Sequence, residues 1–284
     1  MTRNERRLLL AAVLLGSILL LPLAWWMLPD PLLLQAINNQ LAPQRLILQA
    51  RQLTTAFPFS ITSQGATLCT SDDNRPLVTF DRLTVRLQLL PLLLGKVSCS
   101  TTGTVGTGQL QGHTVCYPAP KGTLHLRDVA LDSLPLVTGA LGSGVRGAAR
   151  LELQYSRKGG SISGEARLKI TGLQLQGVKL GMLPLPDLTI PEARGLLLVQ
   201  GDKLIITSLA LQADDSYLRL SGSLPLNPAA PLSLSLELLP ATPLLEKNRA
   251  LFLLMAPYQT APGAFRLPIG GTITSPQLLG RSGN

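Results

Sequence analysis

The stretch VRLQLLPL, Val85 to Leu92, decides how the rest of the chain is read. Its first half alternates apolar and polar side chains, the period of a half-buried strand. The proline that follows forbids further ladder bonding in a central strand. The same writing returns at VALDSLPL (129–136), at VKLGMLPL (178–185) and, more loosely, at LSLELLPA (234–241). Each copy predicts a strand that folds one leucine over the sheet's apolar face and then leaves. That face is predicted to carry Val85, Leu87, Val129, Leu131, Val178, Leu180, Leu234 and Leu236. The copies start about 44, 49 and 56 residues apart, at or slightly above the spacing of stacked repeats, with loops of unequal length. The second and third match best: Leu124, Leu126, Val129, Leu131, Leu134, Pro135 and Leu136 align without a gap on Leu173, Leu175, Val178, Leu180, Leu183, Pro184 and Leu185.

Period-two alternation extends well beyond these copies, at Leu46, Leu48 and Ala50, at Leu151, Leu153 and Tyr155, and at Leu232 to Leu238. Turn chemistry separates the runs at Asp72-Asp73-Asn74, Gly106-Thr107-Gly108, Lys158-Gly159-Gly160, Gly201-Asp202 and Asn227-Pro228. The expected fold is therefore mainly β, an antiparallel meander with few short helices over 44–279 and a flexible tail at 280–284. Its core must be aliphatic, because aromatic residues are only 4% of the 284. One long sheet with one apolar face has to cover it. Three coverings are open: the sheet curls on itself, the post-proline segments and the run Ala250 to Ala256 lie on it, or a ligand with acyl chains or a partner strand fills it.

At the other end of the chain, Leu8 to Leu28 carries no charge and is long enough to cross about 30 Å of hydrocarbon as a helix. Leu8, Val13, Ile18 and Leu28 lie in this expected anchor, with Trp25 and Trp26 at its interfacial belt. Arg3, Arg6 and Arg7 precede it, so the positive-inside rule places 1–7 in the cytoplasm and the bulk of the chain across the membrane. The apolar run is longer than a signal-peptide core and lacks an A-x-A cleavage site, which favours an uncleaved anchor. Asp30-Pro31 then reads as an N-cap and first helical position, opening a short juxtamembrane helix within 29–43 whose apolar face carries Leu33, Leu34, Ile37 and Leu41.

Residues that would carry chemistry are sparse. A net charge of +9 suggests an anionic partner, but the basic residues are scattered singly and no Lys/Arg block is interleaved with aromatics, which argues against nucleic acid. Gly142 to Gly147 fits G-x-G-x-x-G, yet Ala148 to Tyr155 alternates like a strand where a phosphate site needs a helix N-terminus. His113 and His125 have no Cys, Asp or Glu at metal-ligand spacing. Arg82, Arg86, Arg127 and Arg219 fall on the polar positions of their strands, the wet face of the sheet or a rim for anionic headgroups. The reading is of a protein that is not an enzyme and takes no cofactor.

The order of features resembles protein N of the type II secretion system, a family related to the AsmA-like envelope proteins. The resemblance is carried by the anchor with its preceding arginines, Phe57-Pro58-Phe59-Ser60-Ile61, the strand-plus-leucine-proline units, and the hairpin with Gly106 and Gly108. It continues in Leu220-Ser221-Gly222-Ser223-Leu224 leading into Ser233 to Leu236, and in a closing Leu267 to Pro276. It covers most of 8–279, through patterns of Leu, Gly and Pro that are weak singly. It implies an inner-membrane, periplasm-facing accessory of the machine that exports folded proteins, contacting other secretion subunits. Its AsmA-like side implies a twisted, taco-shaped sheet with an apolar groove, and the alternative to the structural role is binding or transfer of phospholipid in that groove. If Thr107-Gly108 is a two-residue hairpin loop, Cys99 lies opposite Cys116 at disulfide range, and an oxidising periplasm would close the pair, leaving Cys69 free. The alternative is three thiols acting as small apolar residues.

Overall fold

Where the sequence alternates, the chain extends. The computed structural model describes residues 30–56, 59–159, 161–180, 183–213 and 215–279. The expected anchor at 8–28, the arginines before it and the tail at 280–284 lie outside the described residues. Among the described residues, no helix is long and apolar enough to cross a membrane. Helix α1 (Asp30–Leu41) comes first, with Leu33, Leu34, Ile37 and Leu41 half-buried as one face. Asn38 fastens it: the Leu48 N–H donates to Asn38 Oδ1 at 2.8 Å, and Asn38 Nδ2 donates back to the Leu48 carbonyl at 3.3 Å.

The edge begins with β1 (Leu46–Gln49) and β2 (Gln52–Ala56), which share one neighbour, β3 (Ser60–Thr70). A meander follows through β4 (Pro76–Leu87), β5 (Val97–Val105), β6 (Gly108–Tyr117), β7 (Lys121–Ala130), β8 (Val145–Lys158) and β9 (Ser161–Leu175). A two-stranded excursion, β10 (Lys179–Leu180) and β11 (Leu183–Pro184), interrupts it. The meander resumes with β12 (Leu188–Gln200), β13 (Lys203–Ala213), β14 (Ser216–Pro225) and β15 (Ser233–Pro240). At the far edge, β16 (Gln259–Ala261) and β18 (Ser275–Leu278) both pair with β17 (Ala264–Thr272). The result is one antiparallel sheet of 16 strands. Both of its edges are made of short strands, a common defence against edge-to-edge association.

Strand direction sorts the connections into two ends. Strands β7, β9 and β15 all run toward one end, and there the chain places α3 (Pro135–Leu141), the β10–β11 excursion, and α4 (Thr242–Lys247) with α5 (Arg249–Leu254). Helix α1 precedes β1, which runs antiparallel to β3, and so sits at this same helix end. Strand β4 runs the other way and delivers α2 (Leu89–Leu93) to the opposite turn end.

The sheet curls. Helix α3 packs against β4 and also against β18. Flat, the ten inter-strand spacings from β4 to β17 would span on the order of 50 Å, whereas a seven-residue helix is about 10 Å long. Register shifts at Leu126/Val129 in β7, Arg146/Ala148 in β8, Leu196/Leu197 in β12 and Ile206/Leu209 in β13 supply the bending, since each bulge kinks its strand and raises the local twist. Gly222 is required at one kink: its φ is 131°, and a Cβ there would meet the Ser233 carbonyl oxygen at 2.2 Å.

The continuous core lies in the C-terminal half, from Leu131 and Val145 to Leu267 and Ile269. Ile190, Leu267 and Met255 are fully enclosed within it. Each such side chain contributes about 1.5–3 kcal/mol by leaving water. The buried residues of the N-terminal half, including Leu53, Leu77, Val105 and Leu110, stand outside that cluster.

Candidate functional site: the inner face and the two ends of the sheet

Register converts the predicted apolar residues into transverse rows. Val85 pairs with Ile61 and Thr101, Thr101 with Gly112, Gly112 with Leu124, and Leu124 with Leu153. The row continues through Ala166, Leu197, Ile206 and Gly222 to Leu234 and Ile269. Val85 and Leu234, far apart in sequence, thus share one line on one face. Leu236 belongs to the next row, between Leu220 and Leu267, and Leu87 to the row on the other side, paired with Cys99. Val129, Leu131 and Val178 are buried where their strands reach the helix end. Leu180 is in β10.

Composition changes along these rows. From β8 onward the face is Leu, Ile and Ala, packed by the chain's own elements: Leu134, Val137 and Leu141 around α3, Leu185 after β11, and Leu244 and Phe252 of α4 and α5. Phe252 meets Phe265 at a ring-centroid distance of 5.2 Å. Across β5 and β6 the rows thin to Thr101, Gly103, Gly112 and Thr114. There Tyr155 lies over Gly122 and shares a 2.9 Å hydrogen bond with Thr114. Val85, Leu87, Leu124 and Leu126 are only half-buried.

The leucine-proline element does not behave as one unit. In the second copy Leu134 packs on the core and Pro135 opens α3. In the first copy Leu90 does not fold over the face. It is 78% exposed, and Leu94 is 77% exposed, because β4 delivers this copy to the turn end, where among the described residues no helix or excursion packs on it. In the fourth copy the strand runs through the proline: Pro240 still pairs with Ser216, Leu238 is buried, and Leu239 points out. The run Ala250 to Ala256 splits likewise. Phe252 and Met255 face the sheet, while Leu253 and Leu254 are 74% and 65% exposed. Sequence reasoning missed these outward leucines, since an apolar run does not announce which of its members are left uncovered.

The cysteine register is also corrected. The β5–β6 turn is Gly106-Thr107, so Val105 pairs with Gly108 and Cys99 lies opposite Thr114 rather than Cys116. A register shift at Val97/Ser98 nevertheless leaves Cys116 close enough to Cys99 for the two thiols to interact. Burial and then the neighbouring Cys116 push the Cys99 thiol pKa up. All three cysteines are free thiols here, and Cys69 is buried.

The opposite face is polar. Arg82, Arg86, Arg127 and Arg219 all lie on it, exposed. Register adds a row that single-residue reading missed: Arg150 opposes Lys169, and Lys169 opposes Arg194. Like charges directly opposed are unfavourable. Asp128 holds Arg150 at 2.7 Å, and Glu192 bridges Lys169 at 3.2 Å and Arg194. Hydrogen bonds from Arg194 and then Lys169 hold the Glu192 carboxyl below its ordinary range. Nearer the turn end, a cleft of about 890 Å³ is lined by Lys96, Lys121, His113 and Glu165. His113 is exposed and His125 half-buried, and among the described residues no three His, Cys, Asp or Glu side chains gather as a metal site. The segment Gly142 to Gly147 is the entry to β8, which starts at Val145, so a strand stands where a phosphate-binding helix would begin. Set beside known proteins, the chain matches no family model, no curated protein and no solved structure.

Proposed function

We propose that this chain is a non-enzymatic, membrane-tethered envelope protein whose curled sheet serves as a structural and interaction subunit of a secretion apparatus. This is the role implied by its resemblance to type II secretion protein N, in the taco-shaped sheet of the AsmA-like relatives. The observation that carries it is the self-filled inner face. From β8 to β17 the leucine-rich surface packs against α3, against Val178 and Leu185 on either side of the β10–β11 excursion, and against α4 and α5, which supports its reading as a core. What the molecule leaves for others lies outside that core: the exposed Leu89, Leu90 and Leu92 of α2 at the turn end.

The half-buried inner face at Val85, Leu124 and Leu126 favours a second reading, a phospholipid held on the inner face of β4 to β7. One experiment separates the two. Photoreactive residues at Leu90 and Leu94 in the native envelope, followed by native mass spectrometry of the purified full chain, should give adducts to inner-membrane secretion subunits and no bound lipid. Stoichiometric phospholipid that is lost in Leu124→Arg, together with no subunit adduct, would replace the scaffold reading with the lipid-binding one.

A further inference from the structure

We infer that α5 is a second membrane contact: Leu253 and Leu254 enter the interfacial layer of the same bilayer that holds the N-terminal tether, so that the sheet stands on its helix end. The inference rests on the proposed tether and adds where the folded part touches lipid. Three observations carry it.

The first is placement. The uncharged run 8–28 ends two residues before α1, and α1 lies at the helix end of the sheet. Helices α4 and α5 connect β15 to β17 at that same end. Curling brings the two sides of the sheet together, since α3 touches both β4 and β18.

The second is sidedness. Helix α5 spends Phe252 and Met255 on the core and turns Leu253 and Leu254 away from it, leaving adjacent large apolar side chains uncovered. Leu32 of α1 is also exposed at this end. An exposed apolar patch of this kind marks a contact.

The third is charge. Lys247 and Arg249 are exposed beside these leucines, with Glu246 the one acidic side chain in α4 and α5. Basic residues flanking an apolar helix face are the pattern of a helix lying in an anionic interface.

The exposed leucines of α2, of which Leu90 matches Leu253 and Leu254 in exposure, do not compete for this bilayer. They sit at the turn end, a strand length away, and β4 with 12 residues spans about 40 Å. Leu90 is therefore an internal control of the same chemistry.

The test uses the full chain in vesicles of mixed zwitterionic and anionic phospholipid, with p-benzoylphenylalanine placed at Leu254 or at Leu90. After irradiation, lipid adducts are expected several-fold more often from position 254 than from position 90. Lys247→Gln with Arg249→Gln should lower the yield at 254 in anionic vesicles and leave it unchanged in purely zwitterionic ones. Retention of the chain on vesicles through an alkaline carbonate wash reports the tether separately. A retained chain with equal or absent adducts at 254 overturns the α5 contact while leaving the tether standing; a chain lost in the wash overturns both.

Discussion

The first and second leucine-proline copies are nearly the same words with opposite outcomes. VRLQLLPL leaves the sheet at the turn end and holds Leu90 and Leu94 out to solvent, whereas VALDSLPL leaves at the helix end, buries Leu131 and lays α3 across the sheet. The residue types hardly differ. Strand direction does: β4 and β7 are three places apart in a meander, so they run oppositely and deliver the same motif to opposite ends. The second and third copies follow β7 and β9, which run the same way, and both feed elements that cover the core. A local motif has a structural meaning only with the direction of the strand that carries it.

The contrast is most strongly tested by cavity formation. Leu131→Ala should lower the unfolding free energy by about 2–5 kcal/mol in urea titration, while Leu90→Ala should stay within about 0.5 kcal/mol. Comparable losses would mean that the first copy is covered after all. Next in size is the hairpin beside the first copy. Oxidation with a thiol oxidant should bridge Cys99 and Cys116, which lie side by side despite their offset register. Closing that loop should add up to about 3 kcal/mol. Non-reducing peptide maps should show this pair and leave Cys69 as a thiol; a bridge to Cys69 would refute the observed packing.

A smaller effect is expected in α3, the cover laid down by the second copy. Gly139 lies inside this helix, and the space where a Cβ would stand has no neighbour within 4 Å, so Gly139→Ala should stabilise by about 0.5–1 kcal/mol. A loss would show that the helix depends on close approach at that point. The smallest effect belongs to the charged row. The folded-state pKa of Glu192 is lowered, so its contribution is fully present above the ordinary glutamate value of 4.5 and is lost as pH falls through the lower folded value. Glu192→Gln should therefore lower the thermal midpoint slightly at neutral pH and leave it unchanged in acid, which flattens the acid-side decline. An unchanged acid limb would mean that the bridge to Lys169 and Arg194 carries no weight in solution.

Much of the sheet was legible because period-two alternation is a one-dimensional signal. Val85, Leu87, Leu234 and Leu236 could be assigned to a common apolar face without knowing which strands adjoin. The hairpin register was harder. Shifting the turn from Thr107-Gly108 to Gly106-Thr107 moves every pairing between β5 and β6 by two residues, and both readings use the same glycine-rich chemistry. The charged row of Arg150, Lys169 and Arg194 was invisible for a related reason, since it exists only across strands. The exposed leucines of α2 and α5 were illegible because a sequence states how apolar a side chain is and leaves open whether anything lies above it.

The sequence by itself determined that this chain is an aliphatic, antiparallel, turn-rich sheet with one oily face, because alternation and turn residues act within a few neighbours. Tertiary structure alone decided which leucines are core and which are surface. That outcome depends on strand direction, on bulges that curl the sheet, and on which connection reaches which end, all of them properties of residues far apart in the chain.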